Sequence, residues 1–598
     1  MREESVSTSF FYGLVMSSKK VPVYKYKSAS RHAGIFAPLP KTPYKVHYKR
    51  LTNKKDTRKT LVLALANTGV ELGFLGWLLL SLFSLLWNAK AHIGATFLAL
   101  LASIFIIESF RLVSIVSLAL SAFAAREPIP VRPAPGRRVA FTTAIVPSKE
   151  PFERVKLTLQ AMKNIKYDGK VDVWLLDEEN DPAIKLACKK MGVKHFTRLG
   201  VEKWNTTEGT FKTRTKHGNY NAWLMSKGKR YEYVLSVDSD HIPQQNFAQR
   251  MLGYFRDDDV AFVVGPQVYG NTDTVIARGA ESQSYVFQAT IQRAGNAYHT
   301  AMFVGTNHAY RVSSMLQIGG FQDSITEDLL TSLTIHSTRN TRTGSFWKSV
   351  YTPDVLAVGE GPSTWTDYFS QQLRWSRGAN EILLKHFGRI FRKLPWRSRV
   401  HYGLIIWCYP AAAITWSVGI AVSLLYLFLG KTGVGLHDKT WLALYIDVLA
   451  TQLFLYAWLR RYNVSPHEER GSFGAAGIIF SIFAAPVYVY ALFCTLLRRK
   501  AKFVVTPKGD TVSPDSWRTF KNHLLWASLV GGFLIYTIII GNTVINVKIW
   551  SAIALVSCLT PVVMWQMSIW KLTRERMAAY FRPLRKLFNR PVQEGIEI

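Results

Sequence analysis

The chain carries the stretch VLSVDSDH at residues 234–241, where a short apolar run ends in two carboxylates. The apolar residues predict a buried β-strand that ends just before Asp238 and Asp240. In open α/β sheets, ligands bind at the carboxyl ends of the strands. Because alternate residues of an extended segment point the same way, both carboxylates can face one hard cation, Mg²⁺ or Mn²⁺, together with diphosphate oxygens. Taken alone, an Asp-x-Asp pair is equally compatible with a structural role.

Three other β-rich runs lie near this strand in the sequence, at 139–146, 171–176 and 260–264, and they alternate with helix-like segments. Such alternation predicts an α/β domain. Apolar runs on either side of the domain are long enough to cross a bilayer, which takes about 20 residues. We therefore expect a multi-spanning α-helical membrane protein with an inserted cytoplasmic α/β domain. A length of 598 residues, 48% of them hydrophobic, excludes a disordered chain and a small disulfide scaffold.

The Lys and Arg residues beside the apolar runs predict the orientation, because positive charge accumulates on the cytoplasmic side of a membrane. The N-terminal arm and both ends of the α/β domain are basic. We therefore expect the domain and both termini in the cytoplasm, with the spans in the plasma (inner) membrane. The net charge of +34 lies mostly beside the spans and in the arm. Membrane lipid explains that location, and nucleic acid is disfavoured as a partner.

The apolar run at 473–497 is an exception among the predicted spans. It contains Pro486 and precedes a basic segment that would lie outside the cell if the run crossed. We therefore expect this run to lie in the cytoplasmic interface, which leaves six spans.

The resulting organisation has eight segments. They are a basic, flexible cytoplasmic arm (1–59), two transmembrane helices (60–125), the cytoplasmic domain (126–380), an amphipathic interface helix (381–400), two transmembrane helices (401–460), an interfacial segment with a loop (461–520), two transmembrane helices (521–570) and a basic cytoplasmic tail (571–598).

Other residues in the domain have chemistry that suits a nucleotide-binding site. Asp177 follows the apolar run at 171–176, where a carboxylate can accept hydrogen bonds from a base or ribose, although a turn-forming role is the alternative. The sequence Thr326-Glu327-Asp328 opens a helix-like segment, where capping is the alternative.

The end of the domain and a later loop add aromatic and basic groups. Arg374 offers a planar fork for a diphosphate, and Trp375 offers a stacking face for a sugar ring, although an interfacial anchor has the same composition. The loop at 502–509 combines a hydroxyl with lysines and can close over an anionic ligand; a basic loop on the membrane surface is the alternative.

Together these features resemble, in order and spacing, the processive family 2 glycosyltransferases of the cellulose synthase type, a group that includes chitin and hyaluronan synthases. The resemblance covers about residues 139–509 and the membrane plan on both sides. It is carried by PSKEP at 147–151, Asp177, KHGN at 216–219, DSDH at 238–241, FVGTN at 303–307, TED at 326–328, QQLRW at 371–375 and FVVT at 503–506.

The resemblance implies a GT-A domain that transfers sugar from a nucleotide sugar with inversion, with Mg²⁺ or Mn²⁺ as cofactor. The TED and FVVT forms are more similar to glucan synthases than to hyaluronan synthases, which favours UDP-glucose as donor and a β-glucan as product. The expected partners are the UDP-sugar, the growing polysaccharide and membrane lipid. The membrane helices of this family translocate the product.

The resemblance also implies roles for individual residues. Asp328 is the catalytic base, and Glu327 and Thr326 shape its surroundings. The metal ligands are Asp238 and Asp240. The residues that bind the nucleotide sugar are Glu150, Asp177, Lys216, Asp238, Gln371 and Arg374. The residues that contact the acceptor are Trp375, Phe303, Thr306 and Asn307. The gating loop includes Phe503, Val505, Thr506 and Lys508.

Three alternatives stay open at this point. The first is a chitin- or hyaluronan-type synthase that uses UDP-N-acetylglucosamine. The second is a non-processive transferase that moves one sugar onto a lipid carrier, and the third is a transporter regulated by nucleotide. The sequence does not identify an export or accessory protein.

Overall fold

The structure is a computed structural model that carries side chains. It describes residues 34–39, 43–88, 95–429, 438–468, 471–499, 513–541 and 545–588.

Eleven strands are formed in the described residues. They are β1 Tyr48–Arg50, β2 Arg126–Pro128, β3 Arg137–Ile145, β4 Gly169–Asp177, β5 Lys194–Phe196, β6 Tyr233–Ser236, β7 Ile242–Pro243, β8 Val260–Val264, β9 His308–Arg311, β10 Lys348–Tyr351 and β11 Ala357–Val358. Seven of them form one sheet in the order β10–β8–β9–β6–β3–β4–β5. The strands predicted at 139–146, 171–176, 234–237 and 260–264 are confirmed as β3, β4, β6 and β8.

Eighteen α-helices are formed in the same residues. They are α1 Lys54–Asn88, α2 Ala95–Ala124, α3 Phe152–Lys163, α4 Pro182–Met191, α5 Lys216–Ser226, α6 Phe247–Leu252, α7 Val275–Val286, α8 Gln292–Tyr298, α9 Val312–Gln317, α10 Glu327–His336, α11 Trp365–Ile382, α12 Gly388–Phe391, α13 Trp396–Ile405, α14 Cys408–Leu429, α15 Asp438–Arg460, α16 Ala475–Leu496, α17 Lys521–Ile539 and α18 Ile545–Phe588.

The sheet is buried on both faces, as expected for mainly parallel strands. Successive residues of a strand point to opposite faces. Phe141 and Leu235 therefore belong to a cluster with α3, α4 and α6. Ala140 and Val234 belong to a second cluster with α5 and α9 on the other face. This double covering explains why the strands are almost continuous apolar runs in the sequence.

One strand of the sheet runs in the opposite direction. β9 pairs antiparallel with β6 and β8, whereas the other pairs in the sheet are parallel. The segment 303–307, which precedes β9, therefore lies at the edge where β3, β4, β6 and β8 end. The fold brings five chain segments to one edge of the sheet.

Six helical segments among the described residues are long and apolar enough to cross a membrane: 54–81, 102–124, 396–425, 475–496, 517–539 and 548–571. Five of them overlap predicted spans. α16, which we expect in the interface, is the sixth, and the predicted span at α15 is not among them. In the most apolar window of α16, 56% of residues are buried inside the protein, against at most 28% in the other five. α16 packs on α7 and α11 of the domain. Its place in the interface stays a prediction.

One face of α15 makes polar contacts with α1. The Asn67 side chain donates to Thr451 Oγ at 2.7 Å. The Trp458 indole donates to Thr60 Oγ at 2.9 Å. These bonds hold α15 against α1 inside the helical bundle.

The prediction of one flexible arm over 1–59 is wrong for its C-terminal part. β1 pairs antiparallel with β2 at the start of the domain. The Lys45 ammonium lies 3.0 Å from an oxygen of Asp257 and 2.7 Å from an oxygen of Asp259, and both carboxylates are nearly buried. α1 begins at Lys54, before the predicted span. Two buried carboxylates need a cation, and Lys45 supplies it.

The predicted boundary at 380/381 is also wrong. α11 continues through a π-helical turn at 383–387 into α12, so the end of the domain and the predicted interface helix form one continuous helix. A new helix, α13, begins at Trp396 and leads into α14. The α11 part of this continuous helix packs on the apolar helices α14 and α16.

Candidate active site

A cleft of about 1500 Å³ lies at the edge of the sheet where the parallel strands end. Polar side chains that follow β3, β4 and β6 line it, for example Glu150, Glu178 and Asp238. The described residues that line it include Glu150, Glu178, Glu179, Lys212, Lys216, Asp238, Asp240, His241, Thr326, Glu327, Asp328, Gln371, Arg374 and Trp375. The predicted convergence of these motifs on one site is therefore observed for most of them.

Asp238 and Asp240 lie directly after β6. Together with His241 they present ligand atoms that lie within 4.8 Å of one another. Asp240 accepts a hydrogen bond from the Glu360 N–H at 3.2 Å, and its other oxygen lies 3.1 Å from His241 Nδ1. Carboxylate oxygens suit Mg²⁺ and Mn²⁺, and His241 is a third potential ligand that the sequence reasoning missed.

Lys216, the first residue of α5, lies beside this group. Its ammonium donates to Asp238 Oδ1 and, at 2.5 Å, to the carbonyl oxygen of Gly305. Burial alone would lower the pKa of Lys216, but the Asp238 carboxylate and nearby Tyr220 and Glu327 raise it above its ordinary value. Lys216 therefore carries its positive charge in the cleft.

Thr326, Glu327 and Asp328 lie at the start of α10. Asp328 Oδ1 accepts a hydrogen bond from the Leu329 N–H at 2.8 Å. Burial raises the pKa of Asp328, although this hydrogen bond and the charges of Lys216 and Arg374 lower it in part. Burial and then the neighbouring Asp328 raise the pKa of Glu327 as well. Two adjacent carboxyl groups with raised pKa values are typical of catalytic sites.

α11 carries Gln371, Arg374 and Trp375 along one wall of the cleft. Burial lowers the pKa of Arg374, while the carboxylates of Glu327, Asp238 and Asp328 raise it in part. Arg374 therefore shares the cleft with carboxylates that follow β6 and that begin α10.

Close packing of α11 on the segment 326–328 depends on one glycine, Gly378. A Cβ atom at Gly378 would lie 2.4 Å from Thr326 Oγ. The buried Thr326 side chain fills the space above this glycine. A larger residue at 378 would push α10 and α11 apart.

A second wall of the cleft is organised by Arg198, which sequence reasoning missed. Its fully buried guanidinium donates to both carboxylate oxygens of Glu178, at 2.6 and 3.0 Å. It also donates at 3.0 Å to the carbonyl oxygens of Trp204, Phe211 and Lys212. These bonds close the loop 199–215 into a wall that ends at Lys216. In the sequence Arg198 is an isolated arginine, and an isolated arginine does not by itself predict that it holds a loop.

Glu150 lines the cleft. It accepts from the Val146 N–H at 3.0 Å and from the Ser239 hydroxyl at 2.6 Å. Through Ser239 it supports the segment that carries Asp238 and Asp240.

Asp177 does not line the cleft. Its carboxylate is fully buried and accepts hydrogen bonds from the N–H groups of Glu179, Asn180 and Asp181, at 2.8–3.0 Å. This geometry is the turn-forming role and argues against direct contact with a base. The following acids, Glu178 and Glu179, reach the cleft instead.

Three predicted acceptor residues are also buried. The Phe303 ring stacks on Phe262 with centroids 3.8 Å apart. Thr306 Oγ accepts from the Asp238 N–H at 2.9 Å, and the Asn307 amide donates to the Pro266 carbonyl at 2.9 Å. These contacts argue against direct contact with the acceptor and make Thr306 a support for Asp238. The predicted gating residues Phe503, Val505, Thr506 and Lys508 lie outside the described residues.

Part of the chain is similar to known proteins. Residues 233–459 match the family described as Glycosyl transferase family group 2. A UDP-forming cellulose synthase catalytic protein of Dictyostelium discoideum is 34% identical over 206 residues, which are 33% of this chain and 18% of that protein. A probable glucomannan 4-beta-mannosyltransferase of Oryza sativa is 27% identical over 253 residues, 40% of each chain. The chain thus matches less than half the length of these curated relatives.

A solved structure is also similar. The mannosyltransferase PcManGT from Pyrobaculum calidifontis, in complex with GDP-Man and Mn²⁺, aligns over 59% of this chain and 98% of its own, with 15% identity and a TM-score of 0.43.

The matched family, the mixed sheet and the Asp-x-Asp group at its edge agree with the expected GT-A fold. The apolar helices around the domain, together with the cellulose synthase relatives, make the chain an integral membrane protein. Residues 233–459 thus match the family 2 glycosyltransferases, and parts of the chain are similar in sequence to the catalytic proteins of cellulose synthases.

Proposed function

We propose that the protein is a processive, inverting hexosyltransferase that polymerises a nucleotide sugar into a β-glycan and moves the product across the membrane. One observation carries this proposal. Arg374, Asp238 at the expected donor end and Asp328 at the expected acceptor end all line the same cleft. A single cleft thus holds the groups that an inverting transfer needs on both sides of the sugar.

Asp328 is the proposed general base. A base for a sugar hydroxyl works best when its pKa lies closer to the working pH than that of an ordinary carboxyl group. Burial supplies such a shift at Asp328. Glu327 beside it keeps negative charge in the same place, so the pair holds the abstracted proton more readily than either carboxylate would alone.

The leaving nucleotide diphosphate needs positive charge around it. Lys216 and Arg374 are cations that the described residues place in the cleft near Asp238. Asp238, Asp240 and His241 would hold Mg²⁺ or Mn²⁺, which supplies further charge neutralisation to the diphosphate when bound.

The acceptor end of the cleft faces the membrane helices. Trp375 lies on the cleft wall formed by α11, where its ring can stack on the terminal sugar. α11 in turn packs on α14 and α16. A product that leaves past Trp375 therefore meets the helical bundle. We propose that the loop containing Phe503, Val505, Thr506 and Lys508 closes the donor end, and that the domain is cytoplasmic.

The donor is the open part of this proposal. The relatives include proteins named as UDP-forming cellulose synthases and as a glucomannan 4-beta-mannosyltransferase. The glucan-type motifs favour UDP-glucose, and a mannose donor is the principal competitor.

Incorporation of radiolabelled sugar tests the proposal. Membranes that carry the protein are supplied with UDP-glucose, GDP-mannose or UDP-N-acetylglucosamine, in the presence of Mg²⁺ or Mn²⁺. We expect one donor to give a product of high molecular weight that a matching β-glycanase degrades. A product of one added sugar that extracts with lipid would contradict processivity. Nucleotide binding without transfer from any donor would contradict the enzyme assignment.

A further inference from the structure

Lys216 forms an ion pair with one of the proposed metal ligands. Its ammonium donates to Asp238 Oδ1, and Asp238 belongs to the group that could hold a divalent cation. The contact places the ammonium of Lys216 against a carboxylate that would also help to hold the divalent ion.

The lysine is held firmly in this position. The Gly305 carbonyl accepts its second hydrogen bond at 2.5 Å, and the Tyr220 ring lies 5.8 Å from the ammonium. Lys216 also begins α5, where the Thr215 side chain caps the helix by accepting from the Gly218 N–H at 3.2 Å. The backbone of the lysine is therefore fixed, and only its side chain can move.

We propose that Lys216 acts as an internal cation that competes with the divalent ion for Asp238, so that the ion and the nucleotide diphosphate bind cooperatively. The proposal rests on the proposed function, because it takes the cleft to be the site for a metal and a nucleotide diphosphate. Its new content is the competition and the coupling that results from it.

The reason is electrostatic. An ammonium and a divalent ion that share one carboxylate lie close together and repel each other strongly. The ion alone must therefore displace Lys216, which moves the ammonium away from its anionic partner. A bound diphosphate offers the displaced ammonium a new anionic partner. It therefore offsets the free-energy cost of separating Lys216 from Asp238. Each ligand then strengthens the binding of the other by the same factor.

Binding of Mn²⁺ to the purified full-length protein in lipid nanodiscs tests the proposal. Free Mn²⁺ is measured by electron paramagnetic resonance, with and without UDP. The variants are Lys216→Met and, as a matched control, Lys212→Met, which removes a lysine from the same cleft wall. Lys212 pairs with Asp323 at 3.3 Å rather than with Asp238.

In the absence of UDP, we expect Lys216→Met to bind Mn²⁺ more tightly than the wild type, by about tenfold within the usual range of coupling factors of roughly 5 to 150. Lys212→Met should bind Mn²⁺ like the wild type. UDP should tighten Mn²⁺ binding more in the wild type than in Lys216→Met. Lys216→Gln provides the same comparison if the methionine variant does not fold.

Two results overturn the inference. One is that neither Lys216 variant binds Mn²⁺ more tightly than the wild type without UDP. The other is that Lys212→Met gives the same gain, which would indicate a general effect of charge. If the wild type does not bind Mn²⁺ even with UDP, the proposed function fails as well, and this outcome is distinct from the first two.

Discussion

The guanidinium of Arg198 donates two hydrogen bonds, of 2.6 and 3.0 Å, to the carboxylate of Glu178. Glu178 follows β4, and Arg198 follows β5, so the pair ties two neighbouring strand ends together. The same guanidinium holds the loop carbonyls that lead to Lys216. The pair therefore connects the sheet to the loop that forms a wall of the cleft.

Arg198→Lys should destabilise the protein, because a lysine cannot reproduce the fork that bonds both oxygens of Glu178 and the loop carbonyls. Breaking a buried ion pair costs about 3–5 kcal/mol. We expect a clear fall in the thermal unfolding temperature and a rise in the KM for the donor. Arg342→Lys is the control, because Arg342 and Asp258 form an exposed pair worth at most about 1 kcal/mol. Equal effects of the two substitutions would contradict the role given to Arg198.

Gly218→Ala should disturb the loop 199–215, because Gly218 in α5 packs against Arg198 and Lys212. A Cβ atom at Gly218 would lie 2.5 Å from Arg198 Nη1 and 2.3 Å from the Lys212 carbonyl oxygen. Overpacking of this kind costs about 1–3 kcal/mol. We expect weaker UDP binding by calorimetry together with a lower unfolding temperature. Gly388→Ala, where a Cβ meets open space, should leave UDP binding unchanged. Unchanged UDP binding in Gly218→Ala would show that the close packing of Gly218 against Arg198 and Lys212 is not required for UDP binding.

Glu281→Gln should change the pH dependence of stability. Glu281 is buried at the contact between α7 and the 461–468 loop, where it accepts from the Ser465 hydroxyl and, at 3.0 Å, from the Tyr269 N–H. Burial raises its pKa from 4.5 to about 7. Its stabilising contribution is complete below about pH 4.5 and is lost as the pH rises through about 7.

Thermal unfolding across this pH window therefore checks the prediction. The unfolding temperature of Glu281→Gln relative to the wild type should rise from acidic to neutral pH. Ser284→Ala, on the same helix but with no titratable side chain, should give a difference that does not depend on pH. A constant difference for Glu281→Gln as well would show that Glu281 titrates normally.

The rate of sugar transfer should fall at acidic pH with a midpoint above the ordinary range of an aspartate, which is near 3.9. The reason is that Asp328 must be deprotonated to act as a base, and burial raises its pKa. A profile of kcat/KM against pH measures the midpoint. A profile that stays flat down to the ordinary range would argue that Asp328 is not the base.

The motifs that end a strand or begin a helix were predictable from the sequence. Asp238, Asp240 and Asp328 follow or precede regular elements with strong patterns, so the fold fixes where they lie. Buried polar supports were not predictable in the same way. Arg198 and Thr306 act through contacts between segments that are far apart in the chain. No local sequence pattern around either residue predicts this supporting role.

The motif FVGTN at 303–307 shows how a correct resemblance can misplace individual side chains. The segment reaches the cleft through Val304 and Gly305. The Phe303 ring, however, points into the core beneath the sheet edge. Asp177 is a similar case, because three backbone N–H groups of the next turn already occupy its carboxylate.

The most direct test of the account compares Asp328→Asn with the wild type in two measurements, donor binding and sugar transfer. Because asparagine has nearly the shape of aspartate but cannot accept the proton, UDP binding in the presence of Mn²⁺ should be retained. Incorporation of sugar into polymer should fall by a factor of about 10² to 10⁴. Incorporation at the wild-type rate by Asp328→Asn would contradict the assignment of Asp328 as the catalytic base and, with it, the proposed reaction geometry.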